Sequence, residues 1–325
     1  MNNFKKVGLT ALASSLVATS VYAGEMSVAG SASFTMENYS GTDGGKSLSM
    51  GNQLTFTGGG EMDNGMNVSL SFVLDQGDNE TDTTTGAGTA PFDSHSLAIS
   101  SDAMGTITFA GEGASSAQNT IDTTAAGDLW DHSAWGITSA TSDGGNALTN
   151  AAANKTLRWT LPSMVDGLAA DVSYNGSSAG EEATIGYAFT YTGVEGLSIS
   201  YGAGAKGDTT AGAGGTEVTT MKASFAFGPV TAAMSINDYD NTSKSNHEQT
   251  SYNVSYAVTE DLSVSYGSET VEETGASFDA EYDKVAVSYT TGGLTLSASK
   301  STAENVNYDS ASEADHWDIG LSFAF

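Results

Sequence analysis

Cysteine is absent from the 325 residues, which removes thiol nucleophiles, thiolate metal sites and disulfide staples. Prolines number 3, and Pro91, Pro162 and Pro229 each fall at a break between patterned runs. Basic residues are scarce: 10 Lys and Arg stand against 39 Asp and Glu, and Arg158 is the single arginine. That imbalance argues against a nucleic-acid partner, whose phosphates require basic patches. It suits soluble acidic loops and an attraction for cations. Beyond the N-terminal segment no run of 18 apolar residues occurs, so no transmembrane helix is expected.

What is present begins with a secretory signal pattern over residues 1–23. Lys5 and Lys6 precede an apolar stretch from Val7 to Val21, and Val21-Tyr22-Ala23 offers a cleavage site. The mature chain is expected to start at Gly24, with 302 residues (325 minus 23). Removing Lys5 and Lys6 leaves 8 basic against 39 acidic residues, a net charge of −31. One structural domain is expected over 24–325.

The dominant signal is alternation with a period of two. At the C-terminus Trp317, Ile319, Leu321, Phe323 and Phe325 interleave with Asp318, Gly320, Ser322 and Ala324. Met66, Val68, Leu70, Phe72 and Leu74 repeat the pattern, as do Ile185, Tyr187, Phe189 and Tyr191. The off-face residues are small and polar rather than large and charged. A soluble sandwich buries its apolar face between two sheets. A membrane barrel turns that face to lipid and lines water with Ser, Thr, Asn and Gln.

The breaks alternate too. Seven short turns, such as Asp63-Asn64-Gly65 and Thr291-Gly292-Gly293, use tight-turn chemistry. Eight long acidic connections lie near 39–46, 77–93, 113–154, 175–181, 204–216, 238–248, 269–276 and 302–314. Together they predict sixteen antiparallel strands. The 302 residues allow about 19 per strand with its share of connection, against ~9–11 needed to cross a bilayer. In lipid every backbone N–H and C=O must pair, so such a sheet must close. The expected fold is all-β, a transmembrane antiparallel barrel. Tyr174, Tyr191, Tyr201, Tyr289, Trp317 and Phe325 are expected near strand ends, as interfacial girdles.

One stretch, Gly113 to Asn154, does not alternate. It carries Asp122, Asp128, Asp131 and Asp143, with Trp130 and Trp135 among small residues. A connection of this length within a compact domain is usually functional. It is read as a loop folded into the lumen, where it sets the width and charge of a pore. Glu112, Asp122, Asp128 and Asp131 are the candidate acidic constriction, since carboxylates lining a narrow opening favour cations. Trp130 and Trp135 are the candidate loop anchors. Asp75, Asp78, Glu80 and Asp82 crowd one external loop and form a candidate calcium site, although their spacing is not that of an EF-hand. No other cofactor is expected.

Three other patterns lead nowhere. Gly176-Ser177-Ser178-Ala179-Gly180 lacks the strand-to-helix setting of a nucleophile elbow. Gly202-Ala203-Gly204-Ala205-Lys206-Gly207 is followed by no helix, so it is no dinucleotide site. His95, His132, His247 and His316 are scattered along the chain and form no zinc-protease pair.

These features together resemble the general porins of Gram-negative outer membranes, especially the alphaproteobacterial type. The carriers are the signal, the alternating segments, the acidic loop after Gly105–Glu112, and the final strand from Asp318 to Phe325. The resemblance implies a trimer of sixteen-stranded barrels with the third external loop folded inward. It implies that Phe325 belongs to the signal read by the barrel-assembly machinery, with outer-membrane lipid and lipopolysaccharide as surroundings. Such porins set an arginine cluster on the wall against the acidic loop. Here the parity of neighbouring apolar residues offers only Arg158, Lys222 and Lys284 as a basic wall. The resulting expectation is an outer-membrane channel for passive diffusion of small hydrophilic solutes and ions, cation-preferring and not an enzyme. The alternatives are an outer-membrane hydrolase built on a barrel, or an exported β-rich adhesin.

Overall fold

The computed structural model describes residues 26–40, 45–75, 93–132, 135, 155–176, 183–206, 215–241 and 245–325. The signal segment, Asp78, Glu80, Asp82, Asp143 and most of the second half of the long loop lie outside the described residues. Sixteen strands follow one another in chain order. The first eight are β1 (Met26–Tyr39), β2 (Gly45–Glu61), β3 (Asn67–Asp75), β4 (Ser94–Ser101), β5 (Gly105–Glu112), β6 (Thr156–Thr160), β7 (Leu168–Asn175) and β8 (Thr184–Val194). The others are β9 (Leu197–Lys206), β10 (Thr216–Phe227), β11 (Val230–Asn241), β12 (His247–Ala257), β13 (Leu262–Glu273), β14 (Ala280–Thr291), β15 (Leu294–Glu304) and β16 (Glu313–Ala324). Each pairs antiparallel with its sequence neighbours, and β1 also pairs with β16, so the sheet closes into a barrel. Among the described residues no helix is long and apolar enough to cross a membrane. Crossing falls to the strands, whose backbone groups closure leaves without an edge.

Alternation places the apolar residues outside. Tyr252, Val254 and Tyr256 on β12, and Ile319, Leu321 and Phe323 on β16, are all exposed. Their neighbours of opposite parity are buried or half-buried and mostly polar: Thr220 on β10, Ser235 and Asn237 on β11, Gln249 and Ser251 on β12. This inversion of a soluble core is what a lipid-facing barrel requires.

The seam where the chain closes is tight. Gly30 and Phe325 exchange backbone hydrogen bonds at 2.8 and 2.9 Å. A Cβ on Gly30 would fall 2.5 Å from the Phe325 ring and 2.8 Å from Leu54. The terminal phenylalanine lies where only glycine leaves room for it.

Two aromatic positions differ from expectation. Tyr201 and Trp317 lie well inside β9 and β16 rather than at strand ends. The strands run past the apolar band toward the long loops. On β16 the outward face reads Glu313 and Asp315 before Trp317, so the tryptophan marks the edge of the band and not the end of the strand. The same rim carries Asp238, Glu248 and Glu272 directly across from one another on β11, β12 and β13.

Candidate functional site

The wall is lowest at β5 and β6, where the chain turns inward. β6 has 5 residues, and Lys155 N–H donates to Gly111 O at 3.2 Å as the chain returns from the long loop. The described part of that loop, 113–132 and 135, packs on the inward, polar face of the sheet. Its seat is prepared by inward glycines. A Cβ on Gly202 of β9 would fall 2.9 Å from Ile121, and one on Gly267 of β13 would fall 2.8 Å from Ala126. Glycine inside a strand marks such a close approach.

Hydrogen bonds then fix the path strand by strand. Ala117 N–H donates to Ser173 Oγ on β7 at 2.8 Å. Gln118 Nε2 donates to Thr220 Oγ1 on β10 at 2.8 Å, and Thr220 in turn donates to Asn237 on β11 at 2.5 Å. Ala125 and Ala126 N–H both donate to Ser251 Oγ on β12, at 3.0 and 2.9 Å. Trp130 N–H donates to Glu269 Oε2 on β13 at 3.1 Å. Glu269 is 1% exposed and also receives Gln249 Nε2 and Ser251 Oγ, at 3.4 and 3.3 Å. Buried polar groups are usually paired in this way.

Both tryptophans of the loop are buried. Trp135 donates its Nε1 proton to Leu129 O at 2.6 Å and packs against Tyr282 of β14 and His316 of β16. Trp130 joins the same apolar cluster with Val218, Tyr239 and Val271 of the wall. Trp130 lies in a 3-10 turn, Leu129–Asp131, entered through Asp128 in the left-handed region at φ 53°.

The charged residues sort into three groups. Lys222 of β10 faces the loop, donating to Asp122 Oδ2 at 2.6 Å and to Thr124 O at 2.8 Å. Arg158 of β6 instead lies 3.8 Å from Asp171 of β7, its own neighbour on the wall. Lys284 of β14 lines a cavity of about 150 Å³ shared by Glu37, Asp128, His132, His316 and Asp318. Glu112 ends β5 on the wall opposite His95, beside a register shift, rather than on the loop. Asp75 ends β3 and is exposed.

Asp128 and Asp131 are exposed residues, yet their carboxyls are held above the usual range. For Asp128 the cause is burial first, with Asp122 adding to it, while the Thr124 hydroxyl and Lys222 pull the other way. For Asp131 it is burial, then Asp128. His132 is pushed below its ordinary value by burial and by His316, against the pull of Glu37 and Asp318.

Sequence reasoning treated the four histidines as scattered, and two of them meet. The rings of His132 and His316 lie 4.0 Å apart between centroids. Their Nε2 atoms stand 3.7 and 3.2 Å from Glu37 Oε2. Glu269 was also missed, because within β13 it sits in an ordinary alternating run. The inward glycines were the available signal for the loop's seat.

A closed sheet with its apolar side outward, a polar inner wall and a loop laid on that wall defines a membrane channel of the outer-membrane type. The sequence model of the Gram-negative porin family matches residues 8–270, and the chain belongs to that family. It is an outer-membrane porin. Solved structures agree in fold. The anion-selective porin from Comamonas acidovorans superposes with a TM-score of 0.70 at 14% identity, over 93% of this chain and 100% of that one. A triple mutant of the Rhodopseudomonas blastica porin gives 0.65 at 15%, over 93% and 100%. OmpF of Salmonella typhi, in complex with daunomycin, gives 0.69 at 12%, over 93% and 98%. No curated protein sequence matches the chain.

Proposed function

We propose that the barrel admits small hydrophilic solutes and ions by passive diffusion, prefers cations, and works as a homotrimer without catalytic activity. The sign of selectivity is a matter of side chains, since an anion-selective porin shares the fold. The observation that carries the reading is the Lys222–Asp122 pair at 2.6 Å. It cancels the wall cation nearest the loop. Arg158 stands 3.8 Å from Asp171, a looser pairing. Asp128 and Asp131 remain on the loop as exposed residues. A narrow opening with a surplus of carboxylates concentrates cations and repels anions.

Phe325, fixed at the closing seam beside Gly30, is the residue assigned to recognition by the assembly machinery. Outer-membrane lipid and lipopolysaccharide would meet the apolar band and the acidic rim above it.

The test is single-channel conductance in a planar bilayer with a salt gradient across it. The expected result is stable open steps with a reversal potential on the cation side. A reversal potential at zero or on the anion side would remove the selectivity assignment while leaving the porin. Steps grouped in threes support the trimer.

A further inference from the structure

Two imidazoles and a carboxylate converge where the loop meets the closing seam. His132 follows the loop's 3-10 turn, His316 belongs to β16 and Glu37 to β1. One donor atom from each lies within 4.8 Å of the other two. The His316–Glu37 and His132–Glu37 distances are 3.2 and 3.7 Å. A tetrahedral ion with bonds of ~2.0–2.1 Å holds its donors about 3.3 Å apart, so two edges are nearly formed and the third, within 4.8 Å, closes by a shift of at most about 1.5 Å. We propose that Glu37, His132 and His316 bind a divalent transition-metal ion of the zinc type, tying the loop to the β1–β16 seam.

The donor set chooses the ion. Two imidazole nitrogens with one carboxylate suit zinc, copper, nickel or cobalt, whereas magnesium and calcium ask for oxygen alone. The three donors are also held in advance. Glu37 accepts the Ser47 hydroxyl, and the loop ahead of His132 is anchored through Trp130 and Glu269. His316 is 3% exposed and packs edge-on to Trp135. Partners that orient a ligand strengthen a metal site. The fourth position opens on the cavity of about 150 Å³, where water or a solute donor would complete the shell. Asp318 lines that cavity and receives the Ser299 hydroxyl, adding negative charge close by. Lys284 lines it too and is the one feature opposing a cation among its described residues.

Near the long-loop end of the closing pair, Glu37 is paired with Asp318 and His316 with Tyr39, so the two ligands are diagonal neighbours two positions apart in the register. An ion held there would therefore join first strand, last strand and loop at one point. Its presence would resist both opening of the seam and lifting of the loop.

The experiment is calorimetric titration of zinc into the folded, detergent-solubilised full chain after chelation, in a large excess of magnesium to occupy the exposed carboxylates. One site per chain is expected. Losing a ligand is at least as costly as the ~10–100-fold typical of losing a group behind one, so His132→Ala and His316→Gln should each weaken binding by that much or more. The His95→Ala/His247→Ala double variant should bind as the parent does. Cobalt should give the visible bands of an ordered low-symmetry site in the parent and lose them in His132→Ala. His132 sits on the loop, so its removal leaves the barrel strands intact, and heat-modifiable gel mobility verifies folding. No zinc-specific site, or a site unchanged in His132→Ala, or one lost only in the His95→Ala/His247→Ala variant, overturns the proposal. Because binding is read directly, failure here is separate from failure of the selectivity assignment.

Discussion

At Lys222 a wall ammonium meets the loop carboxylate of Asp122 while also holding Thr124 O. The pair is half in water, with Asp122 57% exposed, so its worth to stability is about 0–1 kcal/mol. Its weight lies in what an ion passing the loop feels. A unit charge at about 4 Å in water changes local energy by ~1 kcal/mol. Acting with opposite sign on cation and anion, its removal in Lys222→Ala should therefore raise the cation-over-anion permeability ratio by up to roughly 30-fold at low salt, and less as salt screens it. Asp122→Asn should move the ratio the other way by a similar factor. Reversal potentials of the two variants against the parent check both. Asp128 makes a second residue-scale prediction, through pH. Its carboxyl is held above the usual range by burial and by Asp122. The docked loop thus binds a proton more readily than a released one. Docking gains stability as pH falls through the raised value, keeps it below the ordinary carboxylate range, and loses it as pH rises again. Cation preference should fall over the same window as the charge is quenched. Reversal potential recorded from neutral to mildly acidic pH reads this, and Asp128→Asn should flatten the change.

The long loop is held less by its own turns than by wall residues far away in sequence, and Glu269 is the clearest of them. It gathers the Trp130 N–H, Gln249 and Ser251 at a point 139 residues from the loop it secures. Glu269→Ala would leave these donors without their acceptor, and each buried unsatisfied group costs about 1–3 kcal/mol. The barrel should still close, since its ladder does not pass through that side chain. Expected instead are noisier open-channel currents and faster proteolytic cutting within 113–132, with unchanged heat-modifiable mobility. This division explains what was legible in the chain. Alternation carries one fact per residue, inward or outward, and sixteen strands with short and long connections follow from it. Parity turned Arg158, Lys222 and Lys284 inward, and all three have inward or lumen-side neighbours in the structure. It could not tell that Lys222 would meet the loop while Arg158 turned to Asp171, because that depends on the loop's path. Nor could it join His132 to His316 or place Glu269 under Trp130, as the loop crosses the strands at an angle no period describes. The band edge at Trp317 was missed for another reason: strand and membrane do not end together.

The outer surface of the whole barrel is not uniform around its circumference. Toward the long loops, β11 to β13 carry Asp238, Glu248 and Glu272 in adjacent register, where like charges oppose one another across strands. The corresponding end of β1 and β2 carries Met36 opposite Leu48 and Phe34 opposite Met50, with Leu48 66% and Met50 53% exposed. Carboxylates suit a rim standing in water or against headgroups. An apolar face rising to the same end of its strands suits another protein surface, and a second copy of the chain supplies one that a closed rotational assembly can repeat. If β1 and β2 form the contact between subunits, Leu48→Asp would bury an unpaired charge in it. A loss of ~2 kcal/mol per contact is typical of a central interface position, roughly 30-fold in association. Leu296→Asp, on the outer face of β15, would burden insertion into lipid instead. Cross-linking and size-exclusion chromatography in mild detergent should then find folded, conducting Leu48→Asp monomers where the parent gives trimers. If Leu48→Asp stays trimeric, the contact lies elsewhere on the band, and the height of the apolar face on β1 and β2 answers to lipid alone.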